Sequence, residues 1–489
     1  MLTYLPGPTL THGSNTQLMY RFIFSLCALL STSALTFANN VKISNVQYAA
    51  SNITFDISWE NSWRGPGSNP QFHDAVWVFV KVSPNGSQQW NHVTLDVTSE
   101  GELDVITPTD QMGAFIRRSG EGNGFVFGTV SFDMNGNLGL YPDIKVFAIE
   151  MVYVPTGPFY LGDGSSPNRY HVGNDTTASY LVGDSDVMAY GTGSNNIFSS
   201  AQFVSSDYPA TFPNGYNAFY CMKYEVSQSQ YAEFLNCLTL PQQESRTETE
   251  ISGMGFVNTY VMTNTSTVLF RNAVRCIPPD DGSPLYFFCD LDGDTVPNES
   301  NDGIEIAMNY MSYDDLKAYL DWAALRPMSL MQYEKASRGP LSAVPGEYVW
   351  GTPTGTVGDV IINPGEASET FSNVGSSGLY APGANKITRC GFAANSTSTR
   401  LTAGASYYGI LELTGNIDER VCTDVSQELE TEFGDGTLTS SGFSDNFGSA
   451  FIGKGQASTV SVSSVSVLPF MSITNGVARA TSSGGRGVR

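Results

Sequence analysis

The first third of the chain alternates apolar and polar residues with the two-residue period of β-strands. ITFDISW (53–59) places an apolar residue at every second position, and AVWVFVKV (75–82) places valines on one face. A turn sequence, SPNG (83–86), follows the second segment directly. Short strands separated by Gly- and Pro-containing turns predict a β-sandwich-like domain over residues 39–148.

From Glu150 onwards the pattern changes to long Gly-rich loops with three segments of helical periodicity. Each helical segment begins with a serine followed by Gln or Asp three positions later, which is the spacing of a capping box. The pairs are Ser227 with Gln230, Ser312 with Asp315, and Ser329 with Gln332. The third helix should end at Gly339, with Glu334 and Arg338 at ion-pair spacing. The fold class is therefore α+β, with a loop-rich second domain over 149–489.

The N-terminal residues resemble a secretory signal. Residues 1–38 contain an apolar run behind Arg21 and a small-residue cleavage site ending at Ala38, and Met19 is the expected start of translation. No later stretch is long enough to span a bilayer. We therefore expect an exported protein, located in the periplasm, at the cell surface or outside the cell.

Six cysteines remain once Cys27 of the signal is set aside, and an even number in an exported chain is compatible with disulfides. Cys276 and Cys289 are the first choice for a pair because they flank a short excursion, and Cys390 and Cys422 are the other candidates. Cys237 is placed in the middle of the first helix by the pattern, where it would be buried and reduced.

Composition restricts the possible partners. The 489 residues include 47 Asp and Glu against 24 Lys and Arg, which gives a formal net charge of −23. This charge repels nucleic acids and anionic lipids, and it suits divalent cations or simply solubility.

Six sequence segments occur in the order known from one enzyme family. They are MVYVPTGPFYLGDG, YCMKYEVSQSQYAEFLN, RPMSLMQYEKASRG, EYVWGT, YYGILELTGNIDERV and GGRGVR. In this order, over about residues 150–489, they resemble the sulfatase-modifying-factor family, whose formylglycine-generating-enzyme fold is a variant of the C-type lectin fold. The leading β segment resembles exported members from Bacteroidetes-type bacteria.

The resemblance implies an oxidase, but the residues for that chemistry are missing. Active members convert a sulfatase cysteine to formylglycine with oxygen and copper held by two cysteines near the chain end. Residues 423–489 contain no cysteine, Lys454 replaces an arginine of the family's motif, and Met471 is the only sulfur. Cuprous ion needs soft sulfur ligands, so no copper is expected. Three scattered histidines, His73, His92 and His171, do not make an iron site either.

The resemblance also implies structural calcium at the GNIDE segment. Asn416 and Glu419 match the family's ligand positions, and Ile417 would contribute its backbone carbonyl. Asp418 stands where the family has tryptophan. The alternative is that Asn416 caps a turn and Glu419 faces solvent.

A second calcium candidate is DLDGDTVPNESND (290–302). Asp290, Asp292 and Asp294 have the spacing of the first ligands of an EF-hand loop. Thr295 stands where such a loop needs glycine, and Asn301 where it needs glutamate. The alternative is an acidic, solvated turn.

These observations favour an exported, non-catalytic protein that acts as a structural, binding or surface-assembly subunit, including a filament subunit. The alternating run STVSVSSVSV (458–467) could pair with another subunit, or it could be an ordinary strand with one buried face. Expected partners are proteins or further copies of the chain at the cell surface, or a glycan, and not nucleic acid. The alternatives are a formylglycine-generating oxidase and a calcium-dependent lectin-like protein.

Overall fold

The computed structural model describes most of the chain. The described residues are 40–66, 72–87, 89–99, 101–140, 142–200, 206–252, 259–277, 285–356, 358–373, 387–395, 397–422, 433–448, 451–454 and 478–489. The predicted signal segment and the valine–serine run at 458–467 lie outside them. Within the described part, no helix combines the length and apolar character needed to cross a membrane.

The N-terminal part consists of long strands: β1 (Lys42–Ala49), β2 (Asn52–Arg64), β3 (Asp74–Ser83), β4 (Asn91–Ser99), β5 (Leu103–Ile106), β6 (Ala114–Arg118), β7 (Gly122–Asn135) and β8 (Asp143–Val154). The remainder has short strands between loops: β9 (Phe159–Leu161), β10 (His171–Val172), β11 (Tyr180–Val182), β12 (Ile197–Phe198), β13 (Phe219–Met222), β14 (Thr259–Tyr260), β15 (Val274–Ile277), β16 (Tyr286–Cys289), β17 (Arg326–Pro327), β18 (Ile361–Ile362), β19 (Thr370–Phe371), β20 (Asp418–Cys422), β21 (Phe451–Lys454), β22 (Ser483–Gly484) and β23 (Gly487–Val488). The described helices are α1 (Gln228–Leu235), α2 (Leu240–Arg246), α3 (Tyr313–Trp322) and α4 (Leu330–Arg338). This mixture of sheets and helices agrees with the predicted α+β class.

The three predicted helix starts are confirmed. Ser227, Ser312 and Ser329 each accept the backbone N–H of the residue three positions later, and each capping box is complete. Helix α4 ends at Gly339, whose φ of 67° suits glycine, and Arg338 lies 3.5 Å from Glu334. The position predicted for Cys237 was wrong, because α1 ends at Leu235 and the cysteine follows its C-cap.

One sheet extends through both predicted domains. Its strand order is β1-β2-β7-β4-β3-β8-β13-β23-β17. Strand β3 pairs over its whole length with residues Asp143–Val152 of β8, and the last four residues of β8 pair with β13. The predicted domain division at 148/149 therefore falls inside β8, within a sheet that both predicted domains share.

Strand β3 has a buried face on each side. Val76, Val78 and Val80 pack with β2, β4 and β7 in a cluster that we call the N-terminal core. Trp77 and Phe79 point the other way, into a cluster with α1 and α3 that we call the helical core. The Trp77 indole donates to the carbonyl of Ala323 at 2.9 Å. Each core is therefore covered by the same strand.

Candidate functional site

Three of the sequence motifs meet in a buried polar cluster. Glu225 precedes α1, the GNIDE segment leads into β20, and Arg486 lies between β22 and β23. Antiparallel pairing of β13 with β23 and parallel pairing of β20 with β22 bring these distant segments together. Glu225, Asn416, Glu419 and Arg486 are all buried.

The predicted calcium residues are largely engaged by protein groups. The Asn416 amide donates to Glu225 Oε2 at 2.6 Å, and its Oδ1 accepts the N–H of Thr388 at 2.9 Å. The Ile417 N–H donates to the other oxygen of Glu225 at 3.2 Å. Glu419 accepts the Nε–H of Arg486 through Oε1. The Asn416 side chain therefore joins two segments of the fold.

The cluster holds more acid than base. Glu225, Glu412 and Glu419 surround the single guanidinium of Arg486, and burial followed by mutual repulsion raises the pKa of Glu225. Burial likewise raises the pKa of Glu412 to about 7, against the opposing influence of Arg486. Arg486, with a further contribution from the buried Arg389 at Glu412, thus only partly compensates the three carboxyl groups.

Two of these carboxyl groups leave an oxygen available for a metal. Glu412 Oε1 accepts the N–H of Gly391 at 3.0 Å. The Oε2 atoms of Glu412 and Glu419 are buried and have no hydrogen-bond partner among the described residues. Orphaned, buried carboxylate oxygens suit a hard cation. The sequence reasoning missed Glu412, although an acidic residue within the apolar run GILEL was a usable signal.

The second predicted group does converge. Carboxylate oxygens of Asp290, Asp292 and Asp294 lie within 4.8 Å of one another, and in the described part of the chain this is the one set of three or more acidic, His or Cys ligand atoms that does so. Asp290 is buried and paired with Arg275, and the other two carboxylates are exposed. The spacing in the sequence therefore predicted their proximity, and metal binding stays a prediction.

A cavity of about 420 Å³ lies where the N-terminal strands meet the loops of the second half. Its lining includes Trp63 and Phe72 from the N-terminal part and Arg400, Tyr407 and Tyr408 from the second part. The two tyrosine rings are perpendicular, with centroids 5.0 Å apart. This site could not be predicted from the sequence, because Phe72 and Arg400 are more than 300 positions apart.

Polar groups lie around these aromatic walls. Lys223 Nζ is 4.9 Å from the centroid of the Trp63 ring and is neutralised by Glu150 at 2.8 Å. Arg400 donates to the carbonyl of Val349 at 2.7 Å and, within the described residues, has no ion-pair partner. An aromatic cavity with a few polar groups is the usual form of a small-ligand site.

The predicted disulfide is not formed. In the hairpin of β15 and β16, Cys276 lies opposite Phe287 and Cys289 lies opposite Val274, so the two thiols are offset by two positions. The other candidates, Cys390 and Cys422, are also buried, and neither forms a disulfide with another described cysteine. Burial raises the pKa of the Cys276 thiol to about 12. Such thiols are poor nucleophiles because the thiolate is the reactive form.

Comparison with known families identifies the domain that follows the N-terminal strands. A family profile described as "Sulfatase-modifying factor enzyme 1-like domain" matches residues 143–488, from the first residue of β8 to the last strand. A search of curated proteins gave no match. The match covers well over half of the chain and includes the polar cluster, so the chain belongs to the sulfatase-modifying factor family.

Proposed function

We propose that this family member is an exported, non-catalytic binding scaffold whose ligand site is the cavity walled by Trp63, Phe72, Arg400, Tyr407 and Tyr408. The observation that carries this proposal is that two separate parts of the chain line the cavity. Two of its aromatic walls come from outside residues 143–488, so the N-terminal strands complete a pocket that the family domain alone would leave open.

The proposed lack of a catalytic role follows from the scarcity of sulfur ligands near the chain end. The last cysteine of the chain is Cys422, and residues 423–489 offer only the thioether of Met471 for copper. The described cysteines are all buried. Residues 455–477, which include most of the segment that would carry the family's copper ligands, lie outside the described part of the chain.

Calcium is the cofactor that the buried cluster favours. Glu412 and Glu419 would each provide an oxygen that has no other partner. A bound cation would also offset the burial, and the weaker repulsion by Glu419, that raise the pKa of Glu412. Its role would be structural, since the same cluster joins the start of α1, the GNIDE segment and the chain end.

The first test is the metal content and native mass of the secreted protein, followed by an assay on a cysteine-containing sulfatase peptide with copper and oxygen. We expect calcium, no stoichiometric copper and no formylglycine mass shift in the peptide. A polymeric species on size exclusion with light scattering would favour an assembly subunit. Conversion of the peptide would refute the non-catalytic proposal and support the oxidase alternative.

A glycan-binding lectin is the second candidate, and the aromatic cavity favours it because sugar faces pack on aromatic rings while hydroxyls bind polar groups. The probe is a panel of immobilised neutral and acidic oligosaccharides. Tyr407→Ala should abolish retention, and Phe125→Ala, which removes an exposed ring on β7, should leave it unchanged. Equal retention of both variants would place binding elsewhere.

A further inference from the structure

The acidic loop at residues 290–302 contains a carboxylate that the spacing of the three aspartates did not identify. Asp302 is fully buried, and its Oδ2 accepts the N–H of Glu299 at 2.6 Å. Its Oδ1 is buried and has no partner among the described residues. Burial, and then the charges of Asp292, Asp290 and Asp294, raise the pKa of Asp302 to about 6. The preceding residue, Asn301, donates to Asp292, so Asp302 directly follows a residue that contacts the aspartate cluster.

The loop therefore concentrates negative charge around one point. Asp294 is also the main cause of the raised pKa of the exposed Glu299. Arg275 forms an ion pair with Asp290, at the buried start of the loop. In the described residues, no ion pair reaches Asp292, Asp294 or Asp302. A buried carboxylate oxygen with no donor, next to further carboxylates, requires either a proton or a cation.

We propose that residues 290–302 form a calcium site, separate from the buried cluster, in which Asp302 acts together with Asp290, Asp292 and Asp294. Four carboxylates provide the hard oxygen ligands that Ca²⁺ prefers, and backbone carbonyls and water can complete six to eight positions. Each aspartate already accepts backbone N–H groups of the loop, as in Asp292 Oδ1 to Asp294 N at 3.1 Å. A carboxylate has about four lone-pair positions, so these bonds leave room for a metal.

The structure accounts for both positions at which the loop differs from an EF-hand sequence. Thr295 stands at the glycine position, and its φ of 78° shows that it adopts the left-handed conformation that glycine would provide. Asn301 stands at the glutamate position and donates to Asp292 Oδ2 at 2.7 Å. The next residue, Asp302, then supplies the acidic group that Asn301 cannot.

A cation here would fix the loop against the family domain. The N–H of Gly303 donates to the carbonyl of Gly365 at 3.0 Å, and Asn298 Oδ1 accepts the N–H of Cys289 at 2.9 Å. Leu291, between two of the ligands, packs beside the buried cluster of Ile306 and Cys390. Calcium would thus connect the end of β16 to the segment that leads into α3.

The test is calcium titration calorimetry on the full chain after metal removal, with wild type, Asp302→Asn and the double variant Asp292→Asn/Asp294→Asn. We expect the double variant to bind one Ca²⁺ fewer than wild type, and Asp302→Asn to bind the same ion at least about tenfold more weakly. Asp186→Asn is the matched control, because it neutralises an exposed aspartate in another loop and should change nothing.

Two further measurements separate this site from the buried cluster. Glu412→Gln should leave the loop ion in place, and hydrogen exchange in wild type should slow at residues 290–302 when calcium is added. Folding of the double variant is checked by far-UV circular dichroism, since both side chains are exposed. The proposal is overturned if the double variant binds as many calcium ions as wild type with equal affinity, or if calcium leaves exchange in the loop unchanged.

Discussion

The shared strand β3 leads to a prediction about cooperativity that can be worked out from single contacts. Phe79 is fully buried, and its ring lies 5.1 Å from Phe147 and 5.2 Å from Trp322 in the helical core. Phe79→Ala should lower the free energy of unfolding by about 4 kcal/mol, because it removes a buried ring and leaves a cavity. That loss is roughly a 1,000-fold change in the unfolding equilibrium constant. Phe79→Leu is the matched control and should cost less than about 1.5 kcal/mol.

The informative result is which strands and helices lose stability. If β3 makes both cores one folding unit, the slowest-exchanging amides of β2 and β7 should lose the same free energy as those of α3. Val78→Ala, on the opposite face of β3, should have the reciprocal effect, with a loss of about 2 kcal/mol at α3 as well as at β2.

Native-state hydrogen exchange with mass spectrometry, at saturating calcium, measures both regions in one experiment. Denaturant unfolding followed by tryptophan fluorescence should then give a single transition that moves with each substitution. The reasoning fails if Phe79→Ala lowers protection in α3 while β2 and β7 keep the wild-type values. That outcome would mean that the N-terminal core is independent and that β3 belongs to it alone.

Three further predictions concern single side chains. Arg486→Met should lower the free energy of unfolding by about 3–5 kcal/mol, because it leaves buried carboxylates unpaired. In denaturant unfolding, adding Glu419→Gln should recover part of this loss. If the effects of the two substitutions simply add, the two residues do not form a direct pair. Burial lowers the pKa of Lys335 from 10.5 to about 7, so the unfolded chain binds more protons between these values and this contribution to stability rises with pH. The free energy of unfolding of wild type, minus that of Lys335→Met, should therefore rise by up to about 1.4 kcal/mol per pH unit from pH 7 to 9. A difference that does not change with pH would refute this prediction. Thr295→Gly should relieve about 1 kcal/mol of backbone strain and tighten calcium binding by the 290–302 loop in calorimetry, and unchanged affinity would argue against the proposed loop geometry.

Features that depend on neighbouring residues were the ones that sequence could predict. A capping box spans four positions, which is why the start of α3 at Ser312 followed from its sequence. The proximity of Asp290 and Asp294 also followed from spacing, because one short loop contains both. Even here the sequence could not show that Asp302 is buried with an unpartnered oxygen, because its surroundings depend on how the loop packs.

Features that depend on distant pairing could not be predicted. The pattern AVWVFVKV predicts a strand with one valine face. In the structure Trp77 and Phe79, on the other face, are buried as well. Their partners, such as Ala323, are far along the chain, so the sequence could not identify the surface that covers them. The same limit applies to the cavity, because Trp63 and Tyr407 meet only once β2 packs beside the family domain.

The motifs that identified the family also carry much of its fold. Glu225, Asn416 and Arg486 come from three of these motifs, and in the structure their bonds connect the start of α1, the GNIDE segment and the chain end. Glu334 belongs to a fourth motif and accepts the N–H of Gly162 from the first, at 2.8 Å. Each of these groups is buried, and each bond satisfies a polar atom that would otherwise destabilise the fold. These motifs can therefore be kept for reasons of stability, independently of any catalytic role. Membership of the family consequently predicts the scaffold, and the function must be inferred from particular sites such as the cavity and the acidic loop.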